Sequence, residues 1–456
     1  MANNPDIQDL ATLSSQYGNL FGIKRGGSTY IVCIKGYDLF REVMLDNSKT
    51  FAARPSTVVQ KILRGETCEG IATSQYGPGL IAHRKLFHSV LRSMGINGKD
   101  LAKLVVEELP YFVDELHSLV SSCSGMAKID DISEVFQYAS LNVLAYFTFG
   151  NRYSYKDGKF KILLKNNFQI FSLMSKLTSP GLILVSIIPN LYKFWLPKTA
   201  REIQACVRNL ETFIASEIEY HKSTLDLNSP RDLIDYYLLE VATQSSKHFT
   251  ETGVRKAVMD VFQAGTETTS TTLKWAVLYM ANNPDIQEKI QCEINEVLGN
   301  KLPTYEDRIK MPYTEASIME VQRKASIAPV GVLHAAGEST KLMGYDIPKG
   351  SLIVPMYTSF LHSPEHWKNP FQFDPKNFLD ANGQVGTRPA FMPFGAGLRA
   401  CLGINIAKQE LFLFFTTMLQ HFTFQLPPGI LKLDEDYIPG LTLQPKSFQV
   451  VLKQRH

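Results

Sequence analysis

The stretch TGVRKAVMDVFQAGTETTSTTLKWAVLYMANNP, Thr252 to Pro284, constrains this chain more than any other. It is unusually long for one helix of a globular protein, and it is apolar around most of its circumference. Such a helix must be covered on nearly every side, so the spacing predicts a central, buried helix with the rest of the chain wrapped round it. Inside it lies AGTETT, Ala264 to Thr269. Glu267, Thr268 and Thr269 are costly to bury unless hydrogen-bonded. Thr268 is able to return its hydroxyl to an upstream carbonyl, loosen that turn and present a proton donor inside a pocket. A polar patch satisfied within its own helix is the plainer account.

The rest of the chain supplies the wrapping. With 456 residues, 45% of them hydrophobic, a large core is within reach. HRKLFHSVLRSM, KDLAKLVVEELPYFVDELHSLV, VFQYASLNVLAYFTFG, TAREIQACVRNLETFIASEIEYHKS, DIQEKIQCEINEVLG and YTEASIMEVQRKAS all place apolar residues three and four apart. In LDLNSPRD, Asn228, Ser229 and Pro230 ahead of an acidic residue mark a loop entering a helix. Strand-like runs are few: Leu20 to Ile23 and Ser28 to Ile34 about a Gly26–Gly27 turn, and short segments after Pro329. A proline-rich meander, HSPEHWKNPFQFDPKNFLDANGQ, follows. We find neither repeat nor linker, and expect one unit over residues 1–456, mainly α with small β-sheets.

Several function classes are disfavoured. Basic and acidic side chains, 47 and 44, leave a net charge of only +3, which gives no support for nucleic-acid binding. The six cysteines are scattered without a CxxC pair, unlike a secreted disulfide framework. The N-terminus is polar and shows neither a signal peptide nor a membrane-length apolar run. The most apolar window, Ser179 to Pro197, is broken at Pro189 and Asn190 and is too short to span. It reads as a buried loop and helix pair, or as reversible contact with a membrane surface.

One thiol is set apart. Cys401, in FMPFGAGLRACLGINIAKQELFLFF, sits among Gly395, Gly397 and Gly403, just ahead of an apolar helix. Those glycines permit close backbone approach, and a helix starting near Leu402 would lower the thiol pKa. Arg399 adds positive charge. The arrangement fits a metal thiolate or a catalytic nucleophile. No partner histidine follows from spacing, which weakens the nucleophile reading. Zinc would need more cysteine or histidine nearby. One thiolate suffices only where a cofactor brings the other ligands, as haem does. Glu320 and Arg323, three apart on one helix face, are able to pair, and alone that says little.

Together these segments resemble the cytochrome P450 superfamily, its microsomal family 2-like group, over essentially the whole chain from about Thr12. The cysteine signature appears as Phe394, Gly397, Arg399, Cys401 and Gly403. The oxygen-activation motif matches Ala264, Gly265, Glu267, Thr268 and Thr269, and the Glu-x-x-Arg motif matches Glu320 and Arg323. TFAARP and DIPKGSLIVP look like the same group. The resemblance implies haem b held between the long central helix and the cysteine loop, with Cys401 as the iron ligand. Arg399, Arg84 and His334 would meet the propionates, and Phe394 and Gly395 would border the haem. Glu267 and Thr268 would relay protons to bound dioxygen, while Glu320 and Arg323 would be structural. Val261, Ala264, Val330, Leu333 and Leu441 would line an apolar pocket.

The activity so implied is monooxygenation of a fatty acid, steroid or xenobiotic. Electrons would come from NADPH through NADPH–cytochrome P450 reductase, with cytochrome b5 as a further donor. The resemblance also implies the cytoplasmic face of the endoplasmic reticulum membrane, although the relatives' anchor helix has no counterpart here. A haem-binding sensor and a reductase-independent peroxide rearranging enzyme are the rivals, and the intact Glu267–Thr268 pair argues against both. Two positions depart from the group. Leu80 stands where a tryptophan is common, and Asn377 where many relatives carry an arginine joined to the Glu–Arg pair.

Overall fold

The central helix forms as its spacing predicts. The computed structural model describes residues 7–24, 30–58, 60–61, 65, 69–94, 100–121, 125–174, 191–243 and 246–455. In it the helix runs Glu251–Asn282, capped by Thr250, whose hydroxyl accepts the Gly253 amide. Its polar segment survives burial in part because four hydroxyls are satisfied one turn back, while Thr269 and Thr271 meet the carboxyls of Glu410 and Glu267. Thr266 donates to the Phe262 carbonyl at 2.9 Å, Thr268 to Ala264 at 2.9 Å, and Ser270 and Thr272 to Thr266 and Thr268 at 2.8 Å.

Two apolar clusters meet along this helix. Toward its C-terminal end, Trp275, Leu278 and Tyr279 pack in one cluster with Phe112 and Phe136 of the helices Asp100–Ser121 and Ser133–Phe149. Phe414, from the helix Ile404–His421, completes that contact. Toward its N-terminal end, Val254, Val258 and Phe262 pack with the helices Pro78–Ser93, Gly158–Met174, Lys198–Thr224 and Leu233–Ala242. Each such side chain contributes roughly 1.5–3 kcal/mol on burial, which outweighs the modest net worth of the helix's internal hydroxyl bonds. Apolar packing therefore fixes the helix, and the hydroxyls only avoid a penalty.

The sheets are small, as expected. Strand Tyr30–Lys35 pairs antiparallel with Leu20–Lys24 and parallel with Leu352–Met356, which also pairs with His334–Ala335. A three-stranded sheet joins Met126–Ile129, Val450–Gln454 and Phe422–Gln425. The Gly26–Gly27 turn lies outside the described residues, as does the 179–190 part of the apolar window, whose continuation Leu191–Phe194 is a short helix. Among the described residues no helix is long and apolar enough to cross a membrane. That overturns the expectation of a membrane-anchored placement in the endoplasmic reticulum.

Glu320 and Arg323, on the helix Pro312–Ala325, are both fully buried and meet through two parallel bonds of 2.7 Å. The guanidinium also donates to the carbonyls of Leu361, Pro370 and Gln372, and so ties the meander to this helix. Asn377 does reach the pair: its amide donates to Glu320 Oε1 at 3.1 Å. The shorter side chain therefore keeps one link that a longer arginine would make. Leu80 is buried in the core and supplies packing in place of a polar tip.

Candidate active site

Between Lys256 and Ala281 the central helix is buried at every residue but four: Val261, Ala264, Gly265 and Thr268. Their i, i+3, i+4, i+7 spacing makes one continuous stripe on one face. Glu267 is not on it. Consecutive helix positions turn by about 100°, and the Glu267 carboxylate points into the protein, where it accepts from Thr442 at 2.8 Å and from Gln444. Burial pushes this carboxyl up to about 7. The structure thus separates the two members of the expected relay, and it fastens Glu267 to the segment that carries Leu441.

The cysteine loop is shaped by two glycines in the left-handed region, Gly395 and Gly397, at φ of 70° and 69°. A Cβ on Gly397 would lie 1.8 Å from the Met44 carbonyl oxygen, so the loop rests directly on the π-helical turn Glu42–Asp46. The Cys401 amide donates to the Phe394 carbonyl at 2.9 Å, and the following helix begins at Ile404. Protein surrounds the Cys401 thiol, yet it stays open: it lines a recess. Its pKa is raised, not lowered as expected. Burial outweighs the Gly403 amide and Arg84, the groups that favour the thiolate. A free nucleophile would suffer from this, whereas a cation bound at sulfur would displace the proton outright.

Arg399 does not aim at the thiol. Its Nε donates to Ala52 O at 2.7 Å and its Nη2 to Ser74 O at 2.6 Å. Arg84, though distant in sequence, reaches the cysteine's neighbour instead, donating to Ala400 O at 3.0 Å. His334 is buried with Nδ1 2.8 Å from Phe51 O. Burial, and then Arg54 and Arg399, push that imidazole down to about 3. A residue missed from the sequence, Arg54, completes the group. It donates to the carbonyls of Ala72, Val332 and Leu333, all at 2.9 Å. Burial lowers Arg54 to about 10 and Arg399 to about 9, with the neighbouring guanidiniums adding to both effects. The only sequence signal for Arg54 was an arginine set in the apolar run before Pro55.

Val330, Leu333 and Leu441 are half-buried, like Val261, while Ala264 is exposed. Val330 and Leu333 pack together beside Val354 and Met356. Elsewhere, His221, Asp232 and Asp235 cluster closely enough to suggest a metal. There His221 Nε2 already bonds Asp232 at 2.9 Å, and Arg231 occupies Asp235, so the group is a satisfied helix junction.

These residues fit haem on two counts. Cys401 and the helix stripe are both open, and burial lowers the pKa of Arg54, Arg84, Arg399 and His334, with neighbouring guanidiniums lowering Arg54, Arg399 and His334 further. An anionic group would relieve that crowding. Fold and site therefore suit a haem–thiolate enzyme. Residues 3–452 match the family model for Cytochrome P450, and the chain belongs to that family. It is 37% identical over 452 residues to cytochrome P450 2B19 of Mus musculus, covering 97% of this chain and 88% of that protein. It is 36% identical to cytochrome P450 2U1 of Rattus norvegicus, covering 98% and 83%. Cytochrome P450 2B4 of Oryctolagus cuniculus is also 36% identical, with 97% and 89% covered. Membership supports haem-thiolate monooxygenase activity in general.

Proposed function

We propose that residues 1–456 form one catalytic unit that inserts one oxygen atom of O2 into a lipophilic substrate, a fatty acid, steroid or xenobiotic, while the other atom leaves as water. NADPH supplies the two electrons through a flavoprotein reductase, with cytochrome b5 as an additional donor. The observation that carries this reading is the open stripe Val261–Ala264–Gly265–Thr268 on an otherwise buried helix. Its apolar members offer a surface for a hydrocarbon, and it ends on a hydroxyl. Haem held by Cys401 supplies the redox chemistry of dioxygen.

The chain's own residues have narrower tasks. Arg84, Arg399 and His334, with Arg54, hold the anionic edge of the cofactor, and Phe394 and Gly395 bring the loop against it. Thr268 places a hydroxyl on the stripe: its own hydrogen goes to the Ala264 carbonyl, and its free lone pairs orient a proton donor there. Glu267 positions the Thr442–Gln444 segment, and so Leu441 of the pocket wall. Glu320 and Arg323 keep the meander in place.

Thr268→Ala tests this. The lost bond is a neutral one within a single helix, worth about 0.5–1.5 kcal/mol, so the fold and haem content should hold. NADPH should be consumed with peroxide released in place of product. Unchanged coupling and product rate would remove Thr268 from the mechanism. For the substrate, one methylene changes discrimination by roughly 1–3 kcal/mol in an apolar pocket. A spin-state titration should therefore rank lipophilic ligands by size, and response to small polar acids alone would contradict the class.

A further inference from the structure

Strand Leu352–Met356 runs straight into Tyr357, which opens the short helix Thr358–Leu361. The phenol is held at both ends. Its amide donates to the Pro329 carbonyl at 2.9 Å, and its own carbonyl accepts the Leu361 amide at 3.0 Å. The ring stands edge-on to Phe40, centroids 5.1 Å apart, and lies tilted against Phe360 at 5.7 Å. The residue is buried in that apolar cluster, so packing leaves its polar tip a single direction.

That tip lies between two glycines in the left-handed region. A Cβ on Gly331, at φ 57°, would come within 3.3 Å of the phenolic oxygen, and one on Gly395, at φ 70°, within 3.0 Å. Gly331 stands between Val330 and Leu333 of the proposed pocket, and Gly395 belongs to the cysteine loop. A buried phenol ordinarily finds a partner, yet among the described residues this hydroxyl makes no hydrogen bond. Burial aside, the group acting on it most strongly is Arg54, and the group acting most strongly on Arg54 is this phenol. Arg54 is incompletely used as well. Its Nε and Nη1 serve three carbonyls, and its Nη2 serves none among the described residues. A guanidinium has no acceptor atom, so it cannot take the phenol's hydrogen. Cys401 is the next charge felt there, but the groups that act on its sulfur are the Gly403 amide and Arg84. An acceptor with several lone pairs and a negative charge would satisfy both donors, and a carboxylate is such a group.

We propose that Tyr357 is a further cofactor-binding residue: its hydroxyl and the unused Nη2 of Arg54 donate to one carboxylate on the anionic edge of the haem. This rests on the haem–thiolate reading. The hydroxyl stands against the cysteine loop and Arg54 against the pocket segment it grips through Val332 and Leu333, so two separate elements meet at that edge. A neutral donor suits the place. It adds a bond without adding another positive charge to Arg54, Arg84 and Arg399, whose guanidiniums already crowd one another.

Tyr357→Phe keeps the ring against Phe40 and Phe360 and removes the one atom at issue. From the haem-loaded protein, transfer of haem to excess apomyoglobin should run roughly tenfold faster or more, the scale of one hydrogen bond to a charged group. Resonance Raman should show the haem propionate bending band displaced, a signature that ring packing does not produce. Hydrogen exchange along strand Leu352–Met356 should stay as in the parent. Arg54→Lys, which keeps the charge and loses the fork, should also speed release. In the double variant the two effects should fall short of multiplying, since donors on one carboxylate depend on each other. An unchanged release rate or an unmoved band in Tyr357→Phe overturns the proposal. Faster release with faster exchange along that strand overturns it too, because that marks a packing role. Effects that multiply overturn the shared carboxylate. Failure of the haem–thiolate reading would show separately, as a missing thiolate-type carbon monoxide band in the unsubstituted chain.

Discussion

Cys401→Ser is expected to abolish the thiolate-type carbon monoxide difference band and monooxygenation together. Serine nearly preserves the volume, so no large cavity explains the loss. What changes is the donor: a hard, weakly acidic hydroxyl replaces a soft thiolate. The loop geometry should persist, because it rests on Gly395, Gly397 and the Cys401 amide and not on the sulfur. The other described cysteines are differently placed. Cys33 and Cys206 are buried, with thiols raised by burial, and Cys292 lies on the surface of another helix. Serine at these three, or at Cys68 and Cys123 outside the described residues, should leave the band intact. Retention of the band in the Cys401 variant would remove both the ligand assignment and the mechanism built on it.

Arg323→Ala should cost the protein its haem-binding fold rather than its chemistry alone. Both partners of the pair are fully buried, and the guanidinium serves Glu320 and three backbone carbonyls at once. Removing it strands the Glu320 carboxylate, which already accepts from the Asp374 amide and Asn377. Breaking a buried pair costs about 3–5 kcal/mol, against a total stability of roughly 5–15 kcal/mol. Such a loss should appear as a sharply lower thermal midpoint and poor haem content. Arg323→Lys keeps the charge but not the planar fork, and should recover only part of it. A thermal midpoint in R323A equal to that of the parent would show that the meander is held by other means.

What the sequence disclosed followed from short range. The back-bond of Thr268 spans four positions and the Glu320–Arg323 pair three, so local spacing was enough to foresee both. Arg54 escaped notice because its partners are main-chain carbonyls 18 to 279 positions away, and a carbonyl carries no side-chain code. Glu267 was misplaced for a related reason. On a helix buried almost all round, periodicity does not say which side holds the recess. The thiol failed differently: Gly395 and Gly397 were read correctly, whereas Gly403 has an ordinary backbone with open space round it, and burial, which sums over every packed element, reversed the sign.

The seat of the cysteine loop has a consequence for how the molecule is made. Gly397 presses on Met44, and Arg399 bonds the carbonyl of Ala52, 347 positions earlier. At a synthesis rate of ~5–20 residues per second, roughly 17–70 s separate the emergence of these two residues from the ribosome. Through most of that interval strand Tyr30–Lys35 lacks its parallel neighbour Leu352–Met356, and its edge stands open to mispairing. The nascent chain therefore cannot seat a cofactor as it grows. Closure of the loop on its seat must wait until nearly all of it has emerged, and for most of that wait an early strand edge is unprotected.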